Sequence, residues 1–468
     1  VNFFAVVIII TQFTSIHEIE HSQCFNEAHW TPILTTPIQS SLPVTPPRAM
    51  LKNYYGYLPY WIDTIYYQYF QLDLVSHISY FSVEIDPATG SLGFVPNHDR
   101  FLKIISDAHA ACVNVHMTFI IFGSSDVSDF LNNSAARDSA IHAMSNFITT
   151  YGIDGVNIDF EFVTGPVRDS FNLFVDALCT TLWNHPDERK ELYLATIAVP
   201  EWYPGYDLVY LSHHSDGLFI MGYDFHWSGS SIAGPVSPCV PSLFWGEYCV
   251  ARSIASYKAL GVNGSKIILG LPYYGYDWPT VSGDSGSTTT GTGTGVIYYY
   301  AFQNANTHGM LWDEYSLTPW YKYYTTEWHQ CWFDDSVSLD IKFGMVNDSL
   351  LQGAGCWALG YDRTYDHLWN AIRRNFWDST GVGEYNNTIV RNSVLLPTIS
   401  RENFVLSLPS TASPYEISIY DVAGRKLTYL QSSGNKTVNF GNHLRAGVYY
   451  VEVKSNRELF RHKIIKIH

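Results

Sequence analysis

Short apolar runs alternate with longer amphipathic stretches through most of this chain. The runs fall at Tyr54–Leu58, Ile78–Val83, Val113–Ile121, Ile153–Phe160, Leu192–Ala198, Gly217–Met221, Ile267–Leu271 and Gly355–Ala358. Between them, stretches such as Ser139–Thr150 and Asp169–Trp183 space their apolar residues at helical intervals. Short buried strands separated by amphipathic helices are the pattern of βα units closing into a parallel sheet, and this many units predicts an α/β fold of the (β/α)8 TIM barrel type. Such barrels carry their chemistry at the C-terminal ends of the strands.

The fourth run departs from the others. Along Gly152-Ile153-Asp154-Gly155-Val156-Asn157-Ile158-Asp159-Phe160-Glu161, Asn157, Asp159 and Glu161 share one strand face, while Val156, Ile158, Phe160 and Phe162 share the other. Successive residues on one face stand about 6.7 Å apart, so their side chains can meet around one small ligand. A solvated polar edge is the ordinary reading of such a face. On a strand whose neighbours are buried, two inward carboxylates are costly without a task.

This decapeptide resembles the signature of glycoside hydrolase family 18, the chitinases and related N-acetylglucosaminidases, in which Asp-Gly-x-Asp-x-Asp-x-Glu closes the fourth barrel strand. Asp154, Gly155, Asp159 and Glu161 match it, and Asn157 stands where many members have aspartate. Met221-Gly222-Tyr223-Asp224 resembles the family's sixth-strand Met-x-Tyr-Asp. Gly270 to Trp278 and Gly355 to Asp362 resemble its seventh and eighth strands, in the order the barrel requires.

The resemblance implies a substrate-assisted, retaining hydrolysis of β-1,4 bonds beside N-acetylglucosamine, an exception to the usual carboxylate pair. In it Glu161 is the proton donor, Asp159 holds the acetamide N–H, and Tyr223 bonds the acetamide oxygen. Asn157, Asp224, Met221, Trp357 and Tyr57 are expected to contact substrate, Trp357 as a flat floor beneath the sugar, while Asp154 and Gly155 shape the turn into the strand. Asn157 can hydrogen-bond but cannot store a proton as aspartate does, which predicts a changed pH profile. Chitin is the default substrate. Trp332-Phe333-Asp334-Asp335-Ser336 also resembles members acting on bacterial cell-wall or spore-cortex glycans, and N-glycan cleavage and a non-catalytic, lectin-like role stay open. Glu161, Asp159 and Tyr223 together favour the enzyme.

Composition narrows the partners. The 468 residues carry a net charge of −16, which repels nucleic acid and acidic membranes but tolerates an uncharged polysaccharide. Aromatic residues make up 16%, and they are dense in the insertion expected between strands 7 and 8, from Trp278 through Phe333. The Gly/Ser/Thr-rich segment Ser282–Gly295 lacks a Gly-Lys-Ser/Thr ending and reads as a loop between strand 7 and its helix, not a phosphate cradle. No cofactor is expected. The seven cysteines show no Cys-x-x-Cys, and no His-Glu-x-x-His occurs, so no metal is expected either. Cys112 and Cys179 lie in apolar surroundings and read as buried thiols, while Cys239 and Cys249 have the spacing of a loop disulfide in an exported chain.

The ends read differently from the middle. Residues 1–23 contain the apolar run Phe3–Ile10, too short to span a bilayer and similar to the apolar region of a secretory signal peptide, although no basic residues precede it. A Pro-rich segment (24–47) follows, then the barrel (48–377) and a Gly/Asn/Ser/Thr-rich linker (378–400). Residues 401–468 alternate as short antiparallel strands of a small all-β sandwich. Asp421-Val422-Ala423-Gly424-Arg425 and Ala446-Gly447-Val448-Tyr449 give this tail a resemblance to the type A sorting domain of the bacterial type IX secretion system. That resemblance implies delivery to the cell surface or medium by the secretion machinery, with no membrane span in the mature chain.

Overall fold

Eight parallel strands close into a barrel in chain order: β1 (Asn53–Pro59), β2 (His77–Glu84), β3 (Asn114–Ile121), β4 (Gly155–Phe160), β5 (Glu191–Ile197), β6 (Gly217–Met221), β7 (Ile267–Pro272) and β8 (Gly353–Trp357), the last pairing with β1. They belong to a computed structural model that describes residues 13–34, 50–377 and, in part, 394–466. The chain divides into two units at Asp378/Ser379. Each expected apolar run coincides with a strand to within two residues. β8 starts early, at Gly353, because glycine lets it lie close against β1: a Cβ on Gly353 would sit 2.0 Å from the Asn53 carbonyl oxygen, and one on Gly355 2.2 Å from that of Tyr55.

Aromatic side chains fill the barrel interior. Tyr55, Tyr57, Tyr193 and Phe219 are buried, with Tyr57 edge-on to Phe219 at 4.9 Å. Such pairs add about 1 kcal/mol beyond the area they bury. The helix Ser134–Tyr151 delivers the chain to β4; Asn133 caps its start by accepting from the Ala136 N–H, and Gly152 ends it in the left-handed conformation.

Between β7 and β8 lies a five-stranded antiparallel sheet with the helix Tyr298–His308. The indoles of Trp320 and Trp332 stack within it at 4.8 Å and 5°. The segment Ser282–Gly295 does not lead from strand 7 to a helix as the sequence suggests. It joins two strands of this sheet, Tyr274–Thr280 and Thr294–Ile297. Cys239 and Cys249 are buried and not bonded to each other, a correction to the expected bridge; backbone bonds from Val250 N to Pro238 O and from Ala251 N to Cys239 O close the loop instead. Cys179 is buried, but Cys112 is half-buried in a left-handed turn with φ 60°.

The C-terminal unit packs a three-stranded sheet against a five-stranded one, sharing a core of Phe404, Leu406 and Phe440 with Ile417, Ile419, Val451 and Ile464. Among the described residues of this unit, strand pairing begins at Val394. The last residues of the expected linker are therefore part of this unit. No helix among the described residues is long and apolar enough to cross a membrane.

Candidate active site at the barrel mouth

β4 aims its polar face into the barrel and its end into the mouth. Asp154 fastens the start of the strand: one oxygen accepts from the Val115 N–H at 2.7 Å and pairs with His109 Nε2 at 2.9 Å. Gly155 is there for space, since a Cβ would meet the Glu191 carbonyl oxygen at 2.4 Å. Deeper in, Tyr57 donates its hydroxyl to Asn157 Oδ1 at 3.0 Å. Asp159 and Glu161 follow, both buried, and Phe162 turns the chain away with φ 65°. Tyr223 and Asp224 come from the turn after β6, and Trp357 ends β8.

The residues named from the sequence converge, with one unforeseen side chain at their centre. His17, from the helix Ile16–Cys24, reaches into the mouth. Its Nδ1 lies 2.7 Å from Asp159 Oδ2 and 3.2 Å from Glu161 Oε1, and its Nε2 lies 2.9 Å from the Tyr223 hydroxyl. The ring stacks on Trp357 at 3.8 Å and 28°. One helical turn on, a Glu20 oxygen accepts from Trp357 Nε1 at 2.8 Å and from the Tyr361 hydroxyl at 2.6 Å.

The electrostatics follow from burial and from these neighbours. Burial pushes the Glu161 carboxyl up and the Asp159 charge adds to this, while His17 pulls it back. Burial alone would lower His17, but the two carboxylates raise it to about 10. Burial also raises Asp224 to about 6, against the hydrogen bond it accepts from Tyr274. Tyr223 is pushed well above the usual phenol range and stays a hydroxyl.

Beside the helix remains a cavity of about 540 Å³, walled by Glu161, Phe162, Met221, Tyr223, Asp224, Trp202 and Trp227, with Phe13, Ser15 and His17 on the other side. Tyr57, Asn157 and Trp357 lie outside that lining, Trp357 under the His17 ring. His17, Asp159 and Glu161 place donor atoms near enough to share a metal ion; so do His77, His116 and Glu191 at the opposite end of the barrel.

Sequence reading missed His17 and Glu20 because they fall within residues 1–23, the expected leader. A signal was present nonetheless. Ser15-Ile16-His17-Glu18 has the Ser-x-x-Glu pattern of a helix start, and Ser15 Oγ does accept from the Glu18 N–H at 3.1 Å. Trp202 and Trp227 were also unforeseen, since aromatics between barrel strands carry no periodicity; Tyr274 and Tyr361 fall inside the seventh- and eighth-strand motifs but were given no role at the site.

The pattern of glycosyl hydrolases family 18 matches residues 53–362, which span the barrel from β1 to just beyond β8. The chain belongs to this family. A second match, over residues 397–467, is to the secretion system C-terminal sorting domain. Among family 18 relatives, YdhD of Bacillus subtilis, named as a sporulation-specific glycosylase, is 31% identical over 255 residues, 51% of this chain and 54% of that protein. Mouse chitotriosidase-1 is 27% identical over 52% of this chain and 56% of its own length. The chain thus spans about half the length of these curated relatives. The crystal structure of the C-terminal domain of a Desulfitobacterium hafniense protein named as a chitinase superposes with TM-score 0.59 at 25% identity, covering 69% of this chain and 99% of that one.

Proposed function

We propose that this family 18 protein is a glycosidase that hydrolyses the β-1,4 bond beside an N-acetylglucosamine, by a mechanism in which the substrate supplies its own nucleophile. One observation carries the reading: Asp159, Glu161 and Tyr223 surround a single small ring lying on Trp357.

With a sugar in that place, Trp357 supports its apolar face. Asp159 accepts the acetamide N–H, and the Tyr223 hydroxyl donates to the acetamide carbonyl oxygen. That oxygen attacks the anomeric carbon while Glu161 gives its proton to the departing glycosidic oxygen, leaving an oxazolinium ring. Glu161, now a carboxylate, takes a proton from the water that opens the ring, and the configuration is retained. Raised to about 7, Glu161 is protonated in a substantial fraction of molecules near neutral pH. Fixing the attacking oxygen can supply an effective molarity of about 10⁵ M or more, while acid catalysis contributes roughly 10²- to 10⁴-fold.

Chitin is the first substrate choice. The Trp332–Ser336 run supports a second, bacterial cell-wall or spore-cortex glycan, which offers the same acetamido group. The sorting-domain match supports export to the surface or medium of a bacterial cell. The test is hydrolysis of chitotetraose and of peptidoglycan by the full chain at high enzyme concentration, with the anomers resolved by proton NMR. The β anomer is expected first, and an initial α product ends the substrate-assisted reading. For export, deletion of the residues after Ser400 should abolish surface delivery; unchanged delivery overturns the sorting role.

A further inference from the structure

The helix Ile16–Cys24 lies where a sugar would lie. We propose that this segment is an intramolecular ligand of the sugar site, seated as a mimic of the reaction intermediate and keeping the barrel closed to glycan until it leaves. The proposal rests on the functional reading above.

The mimicry can be followed atom by atom. The intermediate of acetamide-assisted cleavage carries a flat, five-membered, positively charged ring that offers an N–H to Asp159 and a second heteroatom to Tyr223. The His17 imidazole is also flat and five-membered. It meets Asp159 through Nδ1 at 2.7 Å, as the intermediate's N–H would, and it lies on Trp357 as the sugar would; at 2.9 Å its protonated Nε2 donates to the Tyr223 oxygen, where the intermediate's ring oxygen would instead accept from the Tyr223 hydroxyl. Burial by itself favours the neutral ring, but the two carboxylates hold it protonated through neutral pH. Glu20, on the same helical face, takes the Trp357 indole N–H and the Tyr361 hydroxyl, two donors otherwise free for sugar hydroxyls.

The seat extends beyond these two residues. His21 Nε2 lies 2.9 Å from Glu84 Oε1, and Tyr60 donates to the His21 carbonyl at 3.3 Å. Ile16, His17 and His21 are buried. Farther along, Trp30–Thr31 pairs antiparallel with Val95–Pro96, and the Leu34 N–H donates to the Tyr151 hydroxyl at 3.1 Å. A leader ending at residue 23 would cut through this helix, so the proposal also requires that residues 16–24 remain in the folded, exported protein.

The test compares the full chain with its His17→Ala/Glu20→Ala form. Chitotetraose affinity is measured calorimetrically in a Glu161→Gln background, turnover is measured with Glu161 intact, and hydrogen exchange of residues 16–24 is followed by mass spectrometry. The double variant should bind chitotetraose at least tenfold more tightly and raise kcat/KM at least tenfold. In the unsubstituted chain the amides of residues 16–24 should be protected, and saturating chitotetraose should remove the protection.

Equal affinity in the two forms overturns the proposal, as does free-peptide exchange of residues 16–24 in the unsubstituted chain, a readout that needs no variant. Tighter binding by the double variant with no cleavage by either form upholds the ligand and defeats the hydrolase. Equal affinity with β-anomer production by both does the reverse.

Discussion

The barrel buries a histidine–carboxylate cluster at each end, and the two are built differently. At the N-terminal end, His77, His116 and Glu191 all come from barrel strands. One Glu191 oxygen meets both histidine Nε2 atoms at 3.0 Å and accepts from Asn114 at 3.1 Å. Ser76 and Tyr55 bond the other ring nitrogens, which fixes both imidazoles. At the mouth, the barrel supplies Asp159 and Glu161, and the histidine comes from outside it. The closed cluster satisfies itself, whereas the open one holds two carboxylates and no cation of its own. Of these two clusters, the one with surplus carboxylate charge is the one where a substrate is expected.

The largest expected effect is on the mouth. Glu161→Gln keeps shape but removes the transferable proton, so turnover should fall about 10²-fold or more while chitotetraose affinity survives. Near-native turnover would move the acid elsewhere. The matching change at the other end, Glu191→Ala, leaves two imidazoles without their shared acceptor and should lower stability by about 3 kcal/mol, read by urea unfolding, with kcat unaffected. A loss of kcat without a loss of stability would erase the distinction between the ends.

The two clusters should also respond oppositely to pH. Glu191 is held far below its usual range: burial opposes this, but the charges and hydrogen bonds of His77 and His116 prevail. Its contribution is therefore present above pH 4.5 and lost as pH falls into strong acid. His17 is raised, so its contribution is full below pH 6.5 and is lost as pH climbs through about 10. The groups facing it are Asp159, Glu161, Tyr57 and Tyr223, with Asp224 and Glu20 beside it; Glu20, raised to about 7, and Asp224, raised to about 6, both chiefly by burial, work in the same direction. Exchange protection of residues 16–24, corrected for intrinsic rates, should decline toward alkaline pH; a decline only toward acid would invert the assignment. The smallest effect belongs to Asn157→Asp, which restores a proton store beside Asp159 and should shift the pH optimum of kcat while preserving substantial activity.

What was readable in the sequence follows the same division. The barrel strands are local patterns, so Tyr54–Leu58 or Ile267–Leu271 disclose themselves by apolar runs. Asp159 and Glu161 do so because a strand's two-residue period places them on one face. The closed cluster is invisible in the sequence: His77, His116 and Glu191 are far apart in the chain, and only the register of β2, β3 and β5 unites them. His17 was hidden for another reason. An apolar run before it matched the expectation of an export leader, and composition outweighed a helix-start pattern of four residues. The expected Cys239–Cys249 bridge failed because sequence spacing says nothing about where the two side chains point.

The shortness of the helix Ile16–Cys24 has a kinetic consequence. Nine residues are too few to be stably helical in water. The segment keeps its shape because the barrel holds it, and it keeps its place because the chain holds it at an effective concentration that short linkers set on the order of millimolar. Were that connection cut, the released peptide would lose helix and local concentration together. Rebinding would then have to recover both at once, so severing the chain acts as a ratchet: one covalent event turns a reversible competition into a one-way commitment.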